Sequence, residues 1–160
     1  PTLVEQSGDR LRLQIGAVLP LADAHLLRLT VGLVDKQANA SYRAYDGYDA
    51  GADYTWLLGG SQFLQATAVY GHNDYDSADP LVSGTPGIVR RDEIYRLRAT
   101  YGVTLGDLFD IGQGDGALGT FLAGTVWTVT AEQLWQDSNV INYNYENTRL
   151  QTVLSRSWQF

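Results

Sequence analysis

The sequence predicts an all-β fold of about seven antiparallel, up-and-down strands, and three observations point to it. Apolar and polar residues alternate along most of the chain, which is the period of a strand whose faces meet different surroundings. Short turns rich in glycine, proline or aspartate separate the alternating segments. The last segment ends on Phe160 and carries Leu150, Leu154 and Trp158, an ending that is rare in soluble domains. We therefore expect a transmembrane antiparallel up-and-down β-barrel, because lipid cannot satisfy a free sheet edge.

Alternation predicts four strands in the first half of the chain. They lie at about 10–21, 27–33, 42–56 and 64–71. Turn residues at 22–24 and 59–61, and polar residues at 35–39, separate them. The apolar positions of the first strand are the odd ones from Leu11 to Leu21, and the third strand changes phase.

The second half of the chain predicts three more strands. The fifth, at 95–105, alternates most clearly, and the sixth runs from about Thr120 to Trp135. The phase of the sixth strand is ambiguous, because Leu122 and Val126 compete with their odd-numbered neighbours. A turn at 137–139 leads to the final strand. Between these strands we expect a long loop at 75–92 and a Gly/Asp-rich loop at 106–119.

The odd strand number affects the predicted topology. Single-chain bacterial barrels have an even number of strands and both termini in the periplasm. If Phe160 ends the last strand in the periplasm, we expect the loop at 75–92 to be extracellular and the loop at 106–119 to be periplasmic. We expect residues 1–160 to form one outer-membrane barrel domain, as the C-terminal part of a larger barrel or paired with another chain. The alternative is that residues 2–8 begin an eighth strand.

Composition narrows the possible classes. The net charge of −7 argues against nucleic acid as a partner. Cysteine is absent, so the chain has neither a disulfide framework nor a cysteine metal site. Ten of its 11 basic residues are arginine, and it has ten tyrosines and 17 glycines. This composition is typical of a lipid-facing barrel with a polar lumen, although a secreted β-sandwich could share much of it.

The predicted inward face carries seven arginines and three acids. They are Arg10, Arg12, Arg28, Arg43, Arg96, Arg98, Arg149, Asp49, Asp53 and Glu132. The excess of arginine suits a wall that selects anionic or carbohydrate solutes. The alternative is a lattice of arginine–carboxylate pairs that stiffens a polar lumen, since the planar guanidinium binds carboxylates with two hydrogen bonds.

Two resemblances add to these patterns. The ending is similar to the C-terminal insertion signal of bacterial outer-membrane barrels, which makes Leu154, Trp158 and Phe160 the residues that the barrel assembly machinery reads. Segments 91–98 and 138–149, with the terminal Ser-Arg-Ser-Trp-Gln-Phe, resemble the closing strands of barrels linked to periplasmic tetratricopeptide domains, such as surface lipoprotein assembly modifiers. This resemblance covers about the last third of the chain.

The family resemblance implies an outer-membrane protein that contacts the lipid bilayer and lipopolysaccharide. It also implies export of lipoproteins, other proteins or polysaccharides to the cell surface. We therefore expect a non-enzymatic pore or translocation wall, with no cofactor and no metal.

Two other functions remain open at this stage. His72, Asp74 and Ser77 could form the catalytic group of an outer-membrane lipid-modifying enzyme, although no family motif surrounds them. A soluble secreted β-barrel or sandwich would instead bury the apolar faces and bind a ligand or glycan.

Overall fold

Seven antiparallel strands form one sheet in the computed structural model, which describes residues 7–82, 87–111 and 116–156. The strands are β1 (Arg10–Ala22), β2 (His25–Lys36), β3 (Tyr45–Gly59), β4 (Gln62–Ala78), β5 (Val89–Thr104), β6 (Thr125–Ser138) and β7 (Tyr145–Arg156). Each strand pairs with its neighbours in sequence, so the sheet is an up-and-down meander. The all-β, seven-stranded, antiparallel prediction is confirmed. In the described residues β1 and β7 are the two edges, and the sheet is not closed.

Short helices lie at the two ends of the sheet. Two 3-10 helices, Ser41–Arg43 and Ile141–Tyr143, connect β2 to β3 and β6 to β7 at what we call the 3-10 end. Two α-helices, α1 (Leu105–Leu108) and α2 (Gly116–Ala123), lie between β5 and β6 at the α-helical end. None of the helices in the described part of the chain is long and apolar enough to cross a membrane.

The two 3-10 connections have the same backbone design, 100 residues apart. In each, the third residue of the helix and the residue after it donate backbone hydrogen bonds to carbonyls three residues earlier. Ser7 and Asp9 accept hydrogen bonds from the amides of Asn39 and Gln37, so they continue the pairing of β1 with β2. The alternative prediction was that residues 2–8 begin an eighth strand. Residues 2–6 of that segment lie outside the described residues.

The first connection corrects one predicted strand boundary. Residues 41–43 are helical, whereas the third strand was expected to begin at 42, and β3 begins only at Tyr45. Arg43 therefore lies on a 3-10 helix and not on the sheet. The neighbouring Ala44 is buried, whereas the alternating pattern assigned it to the outward, apolar face of a strand.

Other boundaries differ in the second half of the chain. β4 continues to Ala78 and β5 begins at Val89, so both strands extend into the segment expected to be a loop at 75–92. Residues 116–123 form α2, and β6 begins at Thr125 instead of about Thr120. The ambiguous phase there has a physical reason, since a helix repeats every 3.6 residues and a strand every two.

The register assigns each strand residue to one of two faces. Residues directly opposite one another on antiparallel strands point to the same side of the sheet. Thr30 lies opposite Gly16 and Gly51, for example, and Val31 lies opposite Ile15 and Ala50. We call the side of Thr30 the polar face and the side of Val31 the apolar face.

The sheet is a single layer, so its buried side chains lie mainly at the two ends. Among the described residues, the buried hydrophobic side chains are Val34, Ala44, Val103 and Val140. Val103 lies at the α-helical end and the other three lie at the 3-10 end. No second layer in the described part of the chain covers the middle of the apolar face.

Candidate functional site

The polar face carries nine of the ten residues predicted to line a lumen. They are Arg10, Arg12, Arg28, Asp49, Asp53, Arg96, Arg98, Glu132 and Arg149. The tenth, Arg43, lies on the first 3-10 helix, where its guanidinium is 5.4 Å from the centre of the Tyr42 ring. The alternation therefore identified the shared face of these side chains, and it failed at the one position that is not in a strand.

Two arginine–carboxylate pairs cross the polar face. An Nη of Arg12 donates to both carboxylate oxygens of Asp49, at 2.7 and 2.8 Å. This pair spans two strands, because the intervening residue on β2 is Gly32 and has no side chain in the way. Arg98 Nε donates to Glu132 at 2.8 Å on the neighbouring strand. Part of the predicted lattice of ion pairs is thus present.

Several polar-face arginines have no carboxylate partner among the described residues. They are Arg10, Arg28, Arg96 and Arg149. Arg149 donates to the side chain of Gln151 at 2.7 Å, and the buried Nε of Arg96 has no hydrogen-bond partner in the described part of the chain. Asp53 accepts from the Thr67 hydroxyl at 2.7 Å. The middle of the polar face therefore carries an excess of positive charge.

The polar face also holds a cleft of about 240 Å³. It is lined by residues of five consecutive strands, from Asp53 on β3 to Arg149 and Gln151 on β7. The cleft therefore brings side chains of β3 to β7 together on the polar face, including Arg98, Glu132 and Arg149.

The apolar face is uncovered. Leu13 is 69% exposed, Ile15 is 72% exposed and Leu33 is 62% exposed, and large exposed side chains continue across the sheet to Leu150 on β7. An exposed patch of this extent is rare on a soluble monomer and marks a surface that meets another protein or a membrane.

The apolar face is limited by charge at the 3-10 end. Near this end, each of the strands β2 to β7 carries an acidic side chain on this face: Asp35, Asp46, Asp74, Glu93, Asp137 and Glu146. Ten residues further along the same strands lie His25, Trp56, Leu64, Val103, Trp127 and Arg156. No Asp, Glu, Lys or Arg occupies this face between the two sets. We call the uncharged part of this face between the two sets the apolar band. Ten residues at about 3.3 Å each make it about 33 Å long along each strand.

Aromatic residues lie near both borders of this band. Near the 3-10 end they are Tyr48, Tyr70, Tyr95 and Trp135, and near the α-helical end they are Tyr54, Trp56, Tyr101 and Trp127. Tyr70 and Tyr95 pack with ring centres 5.2 Å apart. Two of the indole N–H groups have hydrogen-bond partners on β7, since Trp127 donates to Thr152 at 2.7 Å and Trp135 to Glu146 at 3.1 Å.

A buried cluster at the 3-10 end was not predicted. Asp92, only 1% exposed, lies on the polar face and accepts from Arg90 Nε at 2.8 Å, from Gln136 at 3.2 Å and from the Tyr75 hydroxyl at 3.3 Å. The Arg90 guanidinium lies between two rings, 4.4 Å from the centre of Tyr75 and 3.6 Å from that of Tyr143. The sequence predicted a long polar loop at 75–92, so Arg90 and Asp92 were not identified as part of a site. The tyrosine, arginine and aspartate residues in that segment were the one available sign of a buried polar cluster.

Tyr143 joins this cluster to the β4–β5 connection. Its hydroxyl donates to Asp79, and its backbone carbonyl accepts from Gln136 at 3.1 Å. Burial, and then the hydrogen bond to Asp79, raise the pKa of Tyr143 above its ordinary value. The β4–β5 connection, β6 and the second 3-10 helix therefore meet at Tyr143.

The α-helical end is held by a second set of contacts. Asp107 on α1 accepts from the backbone amide of Ser61, in the β3–β4 turn, at 2.8 Å. Hydrogen bonding from Ser61 lowers the pKa of the Asp107 carboxyl. Arg156 on β7 donates to the Phe121 carbonyl at 3.1 Å, and its guanidinium lies 4.5 Å from the centre of the Phe121 ring. The helices thus tie β7 and the β3–β4 turn together.

The residues considered for catalysis do not converge. His72 Nε2 is 3.1 Å from Asp74 Oδ2, and both face the apolar side. Ser77 instead forms a hydrogen bond of 2.8 Å with the hydroxyl of Ser41. Asp74 also pairs with Arg91 at 3.0 Å. Within the described ranges, no three histidines or carboxylates are grouped so that they could hold a metal ion.

Of the predicted assembly-signal residues, Leu154 lies on the apolar face of β7. Trp158 and Phe160 lie outside the described residues. Comparison of the chain with known proteins found no matching family model, no matching curated protein and no matching solved structure.

Proposed function

We propose that this chain forms part of the wall of a transmembrane β-barrel in a bacterial outer membrane, with the apolar face in lipid and the polar face lining an aqueous path. The uncovered apolar band supports this proposal most directly. Its length of about 33 Å along each strand becomes about 25 Å across the membrane for strands tilted by about 40°, which is the apolar thickness of such barrels. The aromatic residues at both borders suit the two membrane interfaces.

The two free edges imply additional strands. β1 and β7 are 13 and 12 residues long, neither contains lysine, and their apolar-face side chains are as exposed as those of the inner strands. Unpaired backbone groups in lipid cost several kcal/mol each, so both edges require partners. We propose that further strands, from the same polypeptide or another chain, lie between β1 and β7 and close the barrel.

The charge of the polar face suggests which solutes pass. Six arginines and three acids of the predicted lumen lie on the polar face, and two of these acids are already paired with arginine. The resulting positive potential favours anionic or polar cargo, including carbohydrate, over cations. Export to the cell surface, implied by the family resemblance, is compatible with such a path. Leu154, Trp158 and Phe160 remain the predicted signal for the barrel assembly machinery.

Thiol labelling tests both faces in one experiment. The chain lacks cysteine, so single cysteines at Arg28, Leu29, Thr30 and Val31 on β2 can be treated in intact membranes with a membrane-impermeant maleimide. We expect labelling of the polar-face positions 28 and 30 and protection of 29 and 31, with all four labelled after denaturation. Equal labelling of both faces, or recovery of the protein from the aqueous fraction, would contradict the proposal and favour a soluble β protein.

A further inference from the structure

The connection that follows β6 packs against the 3-10 end of the polar face. Tyr143, the last residue of the second 3-10 helix, stacks on Arg90 of β5 and donates to Asp79 in the β4–β5 connection. The first 3-10 connection contacts the extended end of β4, where Asp76 N donates to the Ala44 carbonyl at 3.1 Å in continuation of the β3–β4 pairing and Ser41 bonds to Ser77. Both connections therefore contact the region where β4 leads towards β5.

A continuous stack of cations and rings lies at the 3-10 end of the polar face. It runs through Lys36, Tyr45, Tyr75, Arg90 and Tyr143, with successive distances of 5.5, 5.2, 4.4 and 3.6 Å. Lys36, Tyr45 and Tyr75 are register partners on the polar face of β2, β3 and β4. Partly buried cation–π contacts of this kind contribute more than exposed ones, because less water competes for the cation.

The second 3-10 helix is attached to this stack by one side chain. Ile141 is 74% exposed, and Asn142 is also exposed. The residues on either side are fixed separately: Asn139 bonds to the backbone of Val89 and Arg91, and Asn144 accepts from Ser138 N. Residues 141–143 therefore form a short flap between two fixed points, and Tyr143 is its anchor.

We propose that residues 141–143 are a flap that closes the 3-10 end of the polar path, with Arg90 and Asp92 as the latch that holds Tyr143. This proposal rests on the proposed function, since it requires the polar face to line a path. The buried Asp92 orients the Arg90 guanidinium through Nε, and the guanidinium plane then receives the Tyr143 ring. Releasing the Tyr143 side chain leaves the flap held to the sheet by the hydrogen bond from Gln136 to the Tyr143 carbonyl, and it removes no strand from the sheet.

The test variant is Tyr143→Ala in the complete membrane-embedded protein. It removes the ring and the hydroxyl and leaves the Arg90–Asp92 pair intact, which avoids an uncompensated buried charge. Ile141→Ala is the matched control on the same 3-10 helix. Arg90→Lys is a second variant, which keeps the charge and loses the planar surface on which the ring stacks. Two quantities are measured: efflux of a small anionic dye from vesicles, and amide exchange of residues 143 and 144.

We expect Tyr143→Ala to raise dye efflux severalfold and to accelerate amide exchange in the flap. Arg90→Lys should give a smaller increase in both, and Ile141→Ala should change neither. Faster exchange with unchanged efflux would overturn the gating role, and unchanged exchange would overturn the anchoring role of Tyr143. If the wild type and all variants retain the dye, thiol labelling at position 30 separates the two failures. An unlabelled residue 30 contradicts the polar path itself, and a labelled one contradicts only the flap.

Discussion

An arginine at Val31 measures how the apolar face is solvated. Val31 is 55% exposed and lies one residue from the middle of the β2 band, which runs from His25 to Asp35. On a water-exposed surface, Val31→Arg would change the free energy of unfolding by no more than about 0.5 kcal/mol. Near the middle of a bilayer, an arginine on the lipid-facing side of a barrel costs about 2–4 kcal/mol. The two environments therefore predict clearly different values.

Two further variants make this a matched series. Thr30→Arg places the same charge on the polar face, where the register neighbours Gly16 and Gly51 leave room for it. Leu33→Arg lies roughly 8 Å from the middle of the band along the membrane normal, where the cost falls towards about 1 kcal/mol. We expect destabilisation in the order Val31 > Leu33 > Thr30, with Thr30→Arg close to zero. The assay is reversible denaturant unfolding of the barrel in phospholipid vesicles, followed by tryptophan fluorescence. Equal, small effects of Val31→Arg and Thr30→Arg would refute the assignment of the apolar face to lipid.

Three other predictions follow from the contacts of the sheet. Gly102→Ala should destabilise the fold by about 1–3 kcal/mol, because the new Cβ would lie 2.2 Å from the Phe63 ring; Gly71→Ala, with its nearest neighbour at 3.8 Å, is the control in the same unfolding assay. The lowered pKa of Asp107 adds stability that is present above the unfolded pKa of about 3.9 and is lost as the pH falls through the folded value. Asp107→Asn should therefore lower the melting temperature near neutral pH and lose this difference in acid, and a difference independent of pH would contradict the Ser61 contact. Arg149→Gln should reduce the preference for anions in reversal-potential measurements across a salt gradient, whereas Arg91→Gln, which removes the partner of Asp74, should leave it unchanged; equal effects would argue against a lumen charge effect.

Strand number and side-chain orientation were predictable, because both depend on the two-residue period. The odd positions of 11–19 and of 95–103 keep one phase without interruption, so the faces of β1 and β5 follow directly from the sequence. The same period assigned Arg12 and Asp49 to one face. It did not reveal their pairing across β2, which depends on the missing side chain of Gly32.

The ends of the sheet were less predictable for a physical reason. A 3-10 helix of three residues places its side chains in an order that a short alternating pattern also fits, so Arg43 was assigned to a strand. The polar composition of 75–92 resembles a solvated loop, yet Arg90 and Asp92 are ordered by contacts with Gln136 and Tyr143, more than 40 residues away. Local sequence carries no information about such distant partners.

The most direct test of the barrel wall is quenching of tryptophan fluorescence by brominated lipids. Trp56, Trp127 and Trp135 lie near the two borders of the apolar band, and a Trp158→Phe background removes the fourth tryptophan. In vesicles, we predict strong quenching by lipids brominated near the headgroup and weaker quenching by lipids brominated near the end of the acyl chain. Equal fluorescence in brominated and ordinary lipids would contradict the account, because these side chains would then not contact the bilayer.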